Sequence, residues 1–423
     1  MSLKKQIISI LAVSILLISL FSSLTAVSAQ LSTTGFSSNW DMFLHDADHT
    51  CTSSSVQPVI DQGRWSYGTG SSVTSSPAIV NGLIFVGSSN NNVYCFNATD
   101  GTVLWSYSTA GPVAYSSPAV VNGYVYIGSE DGKVYCLDAS SGSLSWSFTM
   151  GNYTDSSPAV ANGCVYIGSG DDNVYCLNAT NGNEIWQFTT QNPVDSSPAV
   201  ADGCVFVGSD DNNTYCLNAS NGNELWHYTT GDEVLSSPSV FNGFVCVGSI
   251  DDKIYCFNAS TGTLAWSFST GDSVDSSPAV SNGLVYIGSV DSNVYCLNAS
   301  SGIELWNYPT GDAVESSPAI ASGFIYVGSD DSHIYCINAS TGVAVWNYGT
   351  GDSVESSPAV ANGILCFGSD DSSVYAFGAN LVLPPDNTLF YIEIAIFALL
   401  GAVVVVMVYF LFFRSRKNKK IQP

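Results

Sequence analysis

The tripeptide Ser-Ser-Pro returns along the chain with its proline at Pro77, Pro118, Pro158, Pro198, Pro238, Pro278, Pro318 and Pro358. A tryptophan keeps the same beat, at Trp65, Trp105, Trp146, Trp186, Trp226, Trp266, Trp306 and Trp346. The period is 40 residues except for one interval of 41, whose extra residue falls between Trp105 and Pro118. Units of this length cannot each bury a core alone and must stack on their neighbours. When they are filled with short alternating strands they form propeller blades rather than helical solenoids.

One unit predicts the strands. Pro158-Ala-Val leads into the turn Asn162-Gly163, and Cys164 to Ser169 then alternates as a half-buried strand does. Asp171-Asp172 makes the next turn, Val174 to Leu177 the third strand, Asn181-Gly182 another turn and Glu184 to Thr189 the fourth strand. Asn-Gly between alternating runs is a strong hairpin signal. Four antiparallel strands fill the repeat and leave no room for a helix. The strand around Trp65 lacks three preceding strands, and the run from Pro358 to Phe377 lacks a following tryptophan strand. Pairing the two completes an eighth blade and removes an open edge. The expected fold is therefore all-β, an eight-bladed propeller closed by an N-terminal strand.

The segment Asp131-Gly132-Lys133-Val134-Tyr135-Cys136-Leu137-Asp138-Ala139-Ser140-Ser141-Gly142, followed by Trp146, resembles the repeat of pyrroloquinoline-quinone-type (PQQ-like) propellers, with cysteine where alanine is usual. Trp40 to Asp46, with His49 and Thr50, likewise resembles the lead-in that such proteins carry before the first blade. His45, Asp46 and His49 are close enough in sequence to suggest metal ligands, but such pairs more often serve packing. The resemblance also raises a quinone-dependent dehydrogenase as the alternative function. Against it, the adjacent cysteine pair of many such enzymes does not occur, and the connections between units are uniformly short. No nucleophile elbow, phosphate loop or metalloprotease helix is present either, so the expectation is a non-enzyme.

Composition sets the two ends apart. Lys4 and Lys5 precede an apolar run, with Val27 and Ala29 placed for a signal peptidase. Ile392 to Phe413 is long and apolar enough for one membrane crossing, and Arg414, Arg416, Lys417, Lys419 and Lys420 follow at once. The expected organisation is a signal peptide (1–29), a lead-in (30–58), the propeller (59–379), a linker (380–391), a transmembrane helix (392–413) and a basic cytoplasmic tail (414–423). The propeller would then stand outside the cell, anchored by a single span.

Of ten lysines and arginines only Arg64, Lys133 and Lys253 remain in the propeller, within a chain of formal net charge −25. So acidic a body repels nucleic acid. It suits cationic ligands, protein partners or divalent ions, and calcium is the cofactor its carboxylates would accept. Asp155, Asp195, Asp275, Glu315 and Glu355 immediately precede Ser-Ser-Pro, where the innermost strands begin. They should ring the channel as a cation site, interrupted by Thr74, Tyr115 and Leu235 and displaced toward the blades from Asp275 to Glu355. Asp pairs such as Asp171-Asp172 and Asp370-Asp371 should share that face. On the opposite face Asn97, Asn178, Asn218, Asn258, Asn298 and Asn338 each begin Asn-Ala-Ser/Thr, the glycosylation acceptor pattern, while Asp138 breaks the series.

Seven of the twelve cysteines recur at one repeat position, where cysteine acts as a small buried hydrophobe and its counterparts lie on different blades. Most should be free thiols. Cys246 and Cys256 are the expected exception, as residues facing each other across one hairpin and able to form a disulfide.

Overall fold

The computed structural model describes residues 39–58 and 63–378. The signal peptide, linker, transmembrane helix and tail expected from the sequence lie outside these residues. Within them every repeat becomes one antiparallel sheet. Blade 3 is representative, with strands Ala159–Ala161, Cys164–Ser169, Asn173–Asn178 and Glu184–Thr189 running from the channel outward. The expected strand starts and ends hold there to within a residue or two. Blades are numbered below in chain order, blade 1 beginning at Ala78–Val80 and blade 8 at Ala359–Ala361.

The seam closes as expected. Gly63–Gly68 pairs antiparallel with Ser373–Gly378, with Trp65 opposite Ala376 and Tyr67 opposite Val374, and supplies the outermost strand of blade 8. The molecule is an eight-bladed all-β propeller closed by an N-terminal strand.

The two residues of Ser-Ser-Pro tie the ring together. The hydroxyl of the first accepts the amide of the glycine in its own second strand, as Gly168 N–H donates to Ser156 Oγ at 3.0 Å. The hydroxyl of the second accepts the amide of its counterpart one blade back. Ser76 donates to Ser117, Ser117 to Ser157, and so on through every blade until Ser357 donates to Ser76, each at 2.9–3.0 Å. Eight buried hydrogen bonds thus form a circle around the channel. An amide left unpaired there would cost about 1–3 kcal/mol, which is why a hydroxyl recurs.

Tryptophan performs the matching task at the rim. Trp186 Nε1–H donates to the carbonyl of Ala219 in the next blade at 3.0 Å, and Tyr166 of the second strand donates to the same oxygen at 3.2 Å. Gly222 of that next blade lies flat on the indole, at φ 72°, and an added Cβ would fall 2.7 Å from the ring. Cys176 sits opposite Trp186 in register and is buried beside Tyr166, a hydrophobic use of cysteine that recurs around the ring.

The lead-in is not a simple approach to blade 1. It circles the channel inside the ring and meets the innermost strands in blade order. Carbonyls of Trp40, Asp41, Ala47, Asp48, Thr50 and Cys51 accept the amides of Ile79, Val120, Val200, Val240, Val280 and Ile320, one each in blades 1, 2, 4, 5, 6 and 7. Thr52–Ser53 then runs parallel to Ala319–Ala321, and Ser55 Oγ accepts from Gly363 in blade 8. Amides of innermost strands would otherwise face an open bore. The lead-in satisfies them by adopting a backbone that is locally costly, with Leu44, His45, His49 and Cys51 all at positive φ.

Candidate functional site: an acidic channel mouth

Innermost strands begin on the face that carries the loops between second and third strands. The expected ring residues Asp155, Asp195, Asp275, Glu315 and Glu355 all stand there, half-buried. Thr74, Tyr115 and Leu235 occupy the same position in blades 1, 2 and 5, with Tyr115 55% exposed. Burial raises every one of the five carboxyls, and neighbouring carboxylates raise them further. Asp155 is pushed up to about 7 by burial, Asp195 and Glu130. Asp195 reaches about 6 by burial and Glu233, against a lowering contact from Tyr153. Glu315 reaches about 7 by burial, Asp330, Asp275 and Asp370, and Glu355 about 8 by burial, Asp370, Glu315 and Asp330. Asp275 is raised chiefly by burial.

These causes bring in residues that the sequence reading did not assign to the ring. Asp210, Asp330 and Asp370 follow Ser209, Ser329 and Ser369 and lean toward the mouth; burial raises all three, acidic neighbours then take Asp210 to about 7 and Asp330 to about 6, and a hydrogen bond with Glu355 partly offsets the rise at Asp370. Two groups result, one of Asp155, Asp195, Asp210 and Glu233 around blades 3 to 5, the other of Glu315, Asp330, Glu355 and Asp370 in blades 7 and 8. One oxygen each of Asp155, Asp195, Asp210, Asp275, Asp330 and Asp370 is buried without a hydrogen-bond partner. Among the described residues no lysine or arginine is one of the charges that bear on these groups.

The Asp pairs are not one feature. Asp371, the counterpart of Asp171, Asp211, Asp251, Asp291 and Asp331, is a structural staple. Its Oδ2 accepts the Gly351 amide of the interblade loop at 2.9 Å and the Tyr375 hydroxyl at 2.6 Å. Blade 3 repeats this with Gly151, Tyr175 and Asp171. In Asp171-Asp172 and Asp251-Asp252 the second residue merely takes the left-handed turn position, at φ 67° and 64°. In Asp210-Asp211, Asp330-Asp331 and Asp370-Asp371 the first residue is the one that reaches the mouth. Lys253 pairs with the staple Asp251 at 3.3 Å.

Elsewhere the suggested histidine ligands separate. His45 Nδ1 meets Asp46 at 3.1 Å, whereas His49 is buried with Nδ1–H donating to the Pro238 carbonyl at 2.9 Å, and burial pushes it down to about 4. Among the described residues no three His, Cys, Asp or Glu side chains are arranged to hold a metal ion. A shallow hollow of about 300 Å³ near the lead-in, lined by Ser53, Ser55, Tyr286 and Ser322 among others, holds no acid or base beyond Tyr286. Cys246 and Cys256 are directly opposite in register, as expected, and stand as two buried free thiols. The six sequon asparagines end third strands on the face away from the mouth, each half-buried.

Against known proteins, the family model of the outer membrane protein assembly factor BamB matches residues 59–152 and 291–380. The repeats are PQQ-like. The propeller model of beta-alanine-activating enzyme matches residues 116–320, overlapping both of those segments. Among solved structures, BamB from Moraxella catarrhalis superposes with a TM-score of 0.66 at 18% identity, covering 75% of this chain and 99% of that one. A europium-containing methanol dehydrogenase superposes with a TM-score of 0.69 at 13% identity, covering 81% and 98%. A computationally designed protein, Ika8, gives 0.67 at 18%, covering 74% and 98%. Identities this low establish a shared fold. Comparison with curated protein sequences returns no match.

Proposed function

We propose that this PQQ-like propeller is a non-catalytic binding or scaffolding module of the cell envelope, exported and held by a single C-terminal span, whose acidic mouth receives cationic segments of partner proteins. The observation that carries this reading is the pair of carboxylate groups at the channel mouth, with buried oxygens that no hydrogen bond among the described residues satisfies. Carboxyls crowded in this way bind protons or cations because either relieves both desolvation and mutual repulsion. Lysine and arginine side chains of a partner supply that relief. Likeness to BamB, an outer membrane assembly factor by its description, supports a scaffolding role.

A quinone cofactor fits the mouth poorly. Pyrroloquinoline quinone is itself a polycarboxylate, and the residues that would surround it here are acids with no basic side chain acting on them. No catalytic step is therefore assigned to it.

The test is site-directed photocrosslinking from Tyr115 and Leu235 in the intact membrane-bound chain, with the crosslinked segment identified by mass spectrometry. A Lys- or Arg-rich segment of an envelope protein is expected. Crosslinking should fall as salt screens the charges, and in a Glu315→Gln, Glu355→Gln, Asp370→Asn variant. Crosslinks indifferent to both would overturn the acidic-mouth reading. Quinone-dependent dye reduction by the purified chain would overturn the non-catalytic one.

A further inference from the structure

The sequence contains eight Asn-x-Ser/Thr triplets, at Asn97, Asn152, Asn178, Asn212, Asn218, Asn258, Asn298 and Asn338. The fold sorts them into two kinds. At six of them the asparagine ends the third strand and turns its Oδ1 back on the chain, where it accepts the amide two residues on, from Thr99, Thr180, Ser220, Ser260, Ser300 or Ser340, at 2.8–3.1 Å. In four of the six the serine hydroxyl also donates to Oδ1, at 2.6–2.8 Å. All six hydroxyl residues are exposed. Among the described residues, no Nδ2 in this set has a hydrogen-bond partner.

The other two differ. Asn152 spends its Nδ2 on the Gly170 carbonyl at 3.0 Å, and its partner Thr154 is buried with the hydroxyl donating to the Gly168 carbonyl at 2.8 Å. Thr214, the partner of Asn212, is fully buried in the third strand of blade 4.

The turn by itself does not require the asparagine. Asp138 in blade 2 makes the same turn, accepting from Ser140 N–H at 3.1 Å and Ser140 Oγ–H at 2.6 Å. Aspartate and asparagine are interchangeable acceptors in such a turn. Only the free carboxamide nitrogen separates the six from blade 2.

We propose that Asn97, Asn178, Asn218, Asn258, Asn298 and Asn338 carry N-linked glycans on the face opposite the acidic mouth, and that Asn152 and Asn212 do not. The donor is a polyprenyl-phosphate-linked oligosaccharide. A bond forms between Nδ2 and the anomeric carbon, the carbon–oxygen bond to phosphate breaks, the lipid phosphate leaves with the electron pair, and Nδ2 gives one proton to a base of the transferase. Sugar on six of eight blades would close that face to protein contact and leave the mouth as the open one. The inference rests on the export proposed above, since the donor and transferase act on exported chains.

The test uses the full chain recovered from the membranes of the cell that makes it. Peptide mass spectrometry should find glycan on the six asparagines and none on Asn152 or Asn212. Asn218→Asp should remove one glycan mass and leave the melting temperature within a few degrees of the parent, because Asp138 shows the turn survives; Ser220→Ala should remove the same mass while keeping the asparagine. Protease applied to intact cells reports the side of the membrane independently. Six bare asparagines in a chain digested from outside would overturn glycosylation alone. Six bare asparagines in a protected chain would overturn it together with export. Equal occupancy at Asn152 and Asn212 would overturn the structural sorting.

Discussion

A serine hydroxyl is a modest group, yet the second serine of Ser-Ser-Pro accepts an amide that has no other partner and lies in the wall of the channel. Replacing Ser197 with alanine strands the Ser157 amide inside the ring, and the expected cost is about 1–3 kcal/mol. Chemical denaturation of the variant beside the parent measures it. An unchanged midpoint would mean that water replaces the hydroxyl. The mouth carboxyls act in the opposite sense to ordinary acidic residues. Their folded-state values are raised, to about 7 for Asp155 and Glu315 and about 8 for Glu355, above those of the unfolded chain. The folded state therefore holds more protons than the unfolded state between about pH 4 and pH 8, and stability must fall as pH rises through that window. Melting temperature should increase on acidification from pH 8 to pH 5, and the increase should shrink in Glu315→Gln, Glu355→Gln. A melting temperature that falls steadily over that range would show that the mouth is too well hydrated to matter. The individual roles of these residues were only half legible in the sequence. Asp155 and Glu355 announced themselves by their place before Ser-Ser-Pro. Asp330 and Asp370 were hidden in Asp-Asp pairs, because a doublet reads as a turn and does not say which member faces the bore.

Strands and turns were the most legible elements, since Asn162-Gly163 and the alternation from Cys164 to Ser169 fix local geometry without help from the rest of the chain. The lead-in was the least legible. Its residues from Trp40 to Ser55 have no alternation and no repeat partner, and their conformation is imposed by the innermost strands they meet across gaps of up to some hundreds of residues, as when Gly363 donates to Ser55. Composition gave one hint, the mixture of small polar residues with a buried Trp40 and Leu44, but nothing local indicates a circular path. A segment held this way should be as protected as the blades. Hydrogen exchange monitored by mass spectrometry is expected to show the amides of Cys51 and His49, and those of Val200, Val240 and Val280, exchanging only with global unfolding. Rapid exchange over residues 39–58, with protection retained in the fourth strands, would mean that the lead-in detaches while the ring persists.

At the scale of the whole molecule, seven blades are each built from one continuous run of chain, and blade 8 alone is not, because its fourth strand comes from the other end of the repeat array. There the ring depends on Gly63–Gly68 lying against Ser373–Gly378, assisted by the Ser357-to-Ser76 bond and by Trp65 Nε1–H donating to Ala98 in blade 1. The eightfold count of tryptophans makes this closure readable in the sequence, because a strand without its blade and a blade without its strand must find each other or expose an edge. The same substitution should consequently cost more at the seam than elsewhere. Trp65→Ala with Tyr67→Pro removes the rim anchor and a ladder donor opposite Val374; Trp266→Ala with Phe268→Pro does the same in blade 5, opposite Ile254. In blade 5 the flanking chain continues into blade 6 and keeps the ring shut. At the seam the freed edge of Ser373–Gly378 is open to pairing with another molecule. Light scattering should find the blade 5 variant monomeric and destabilised, and the seam variant both destabilised and shifted toward oligomers. Equal melting points and equal masses for the two would show that the serine circle and the lead-in hold the propeller closed without its last strand.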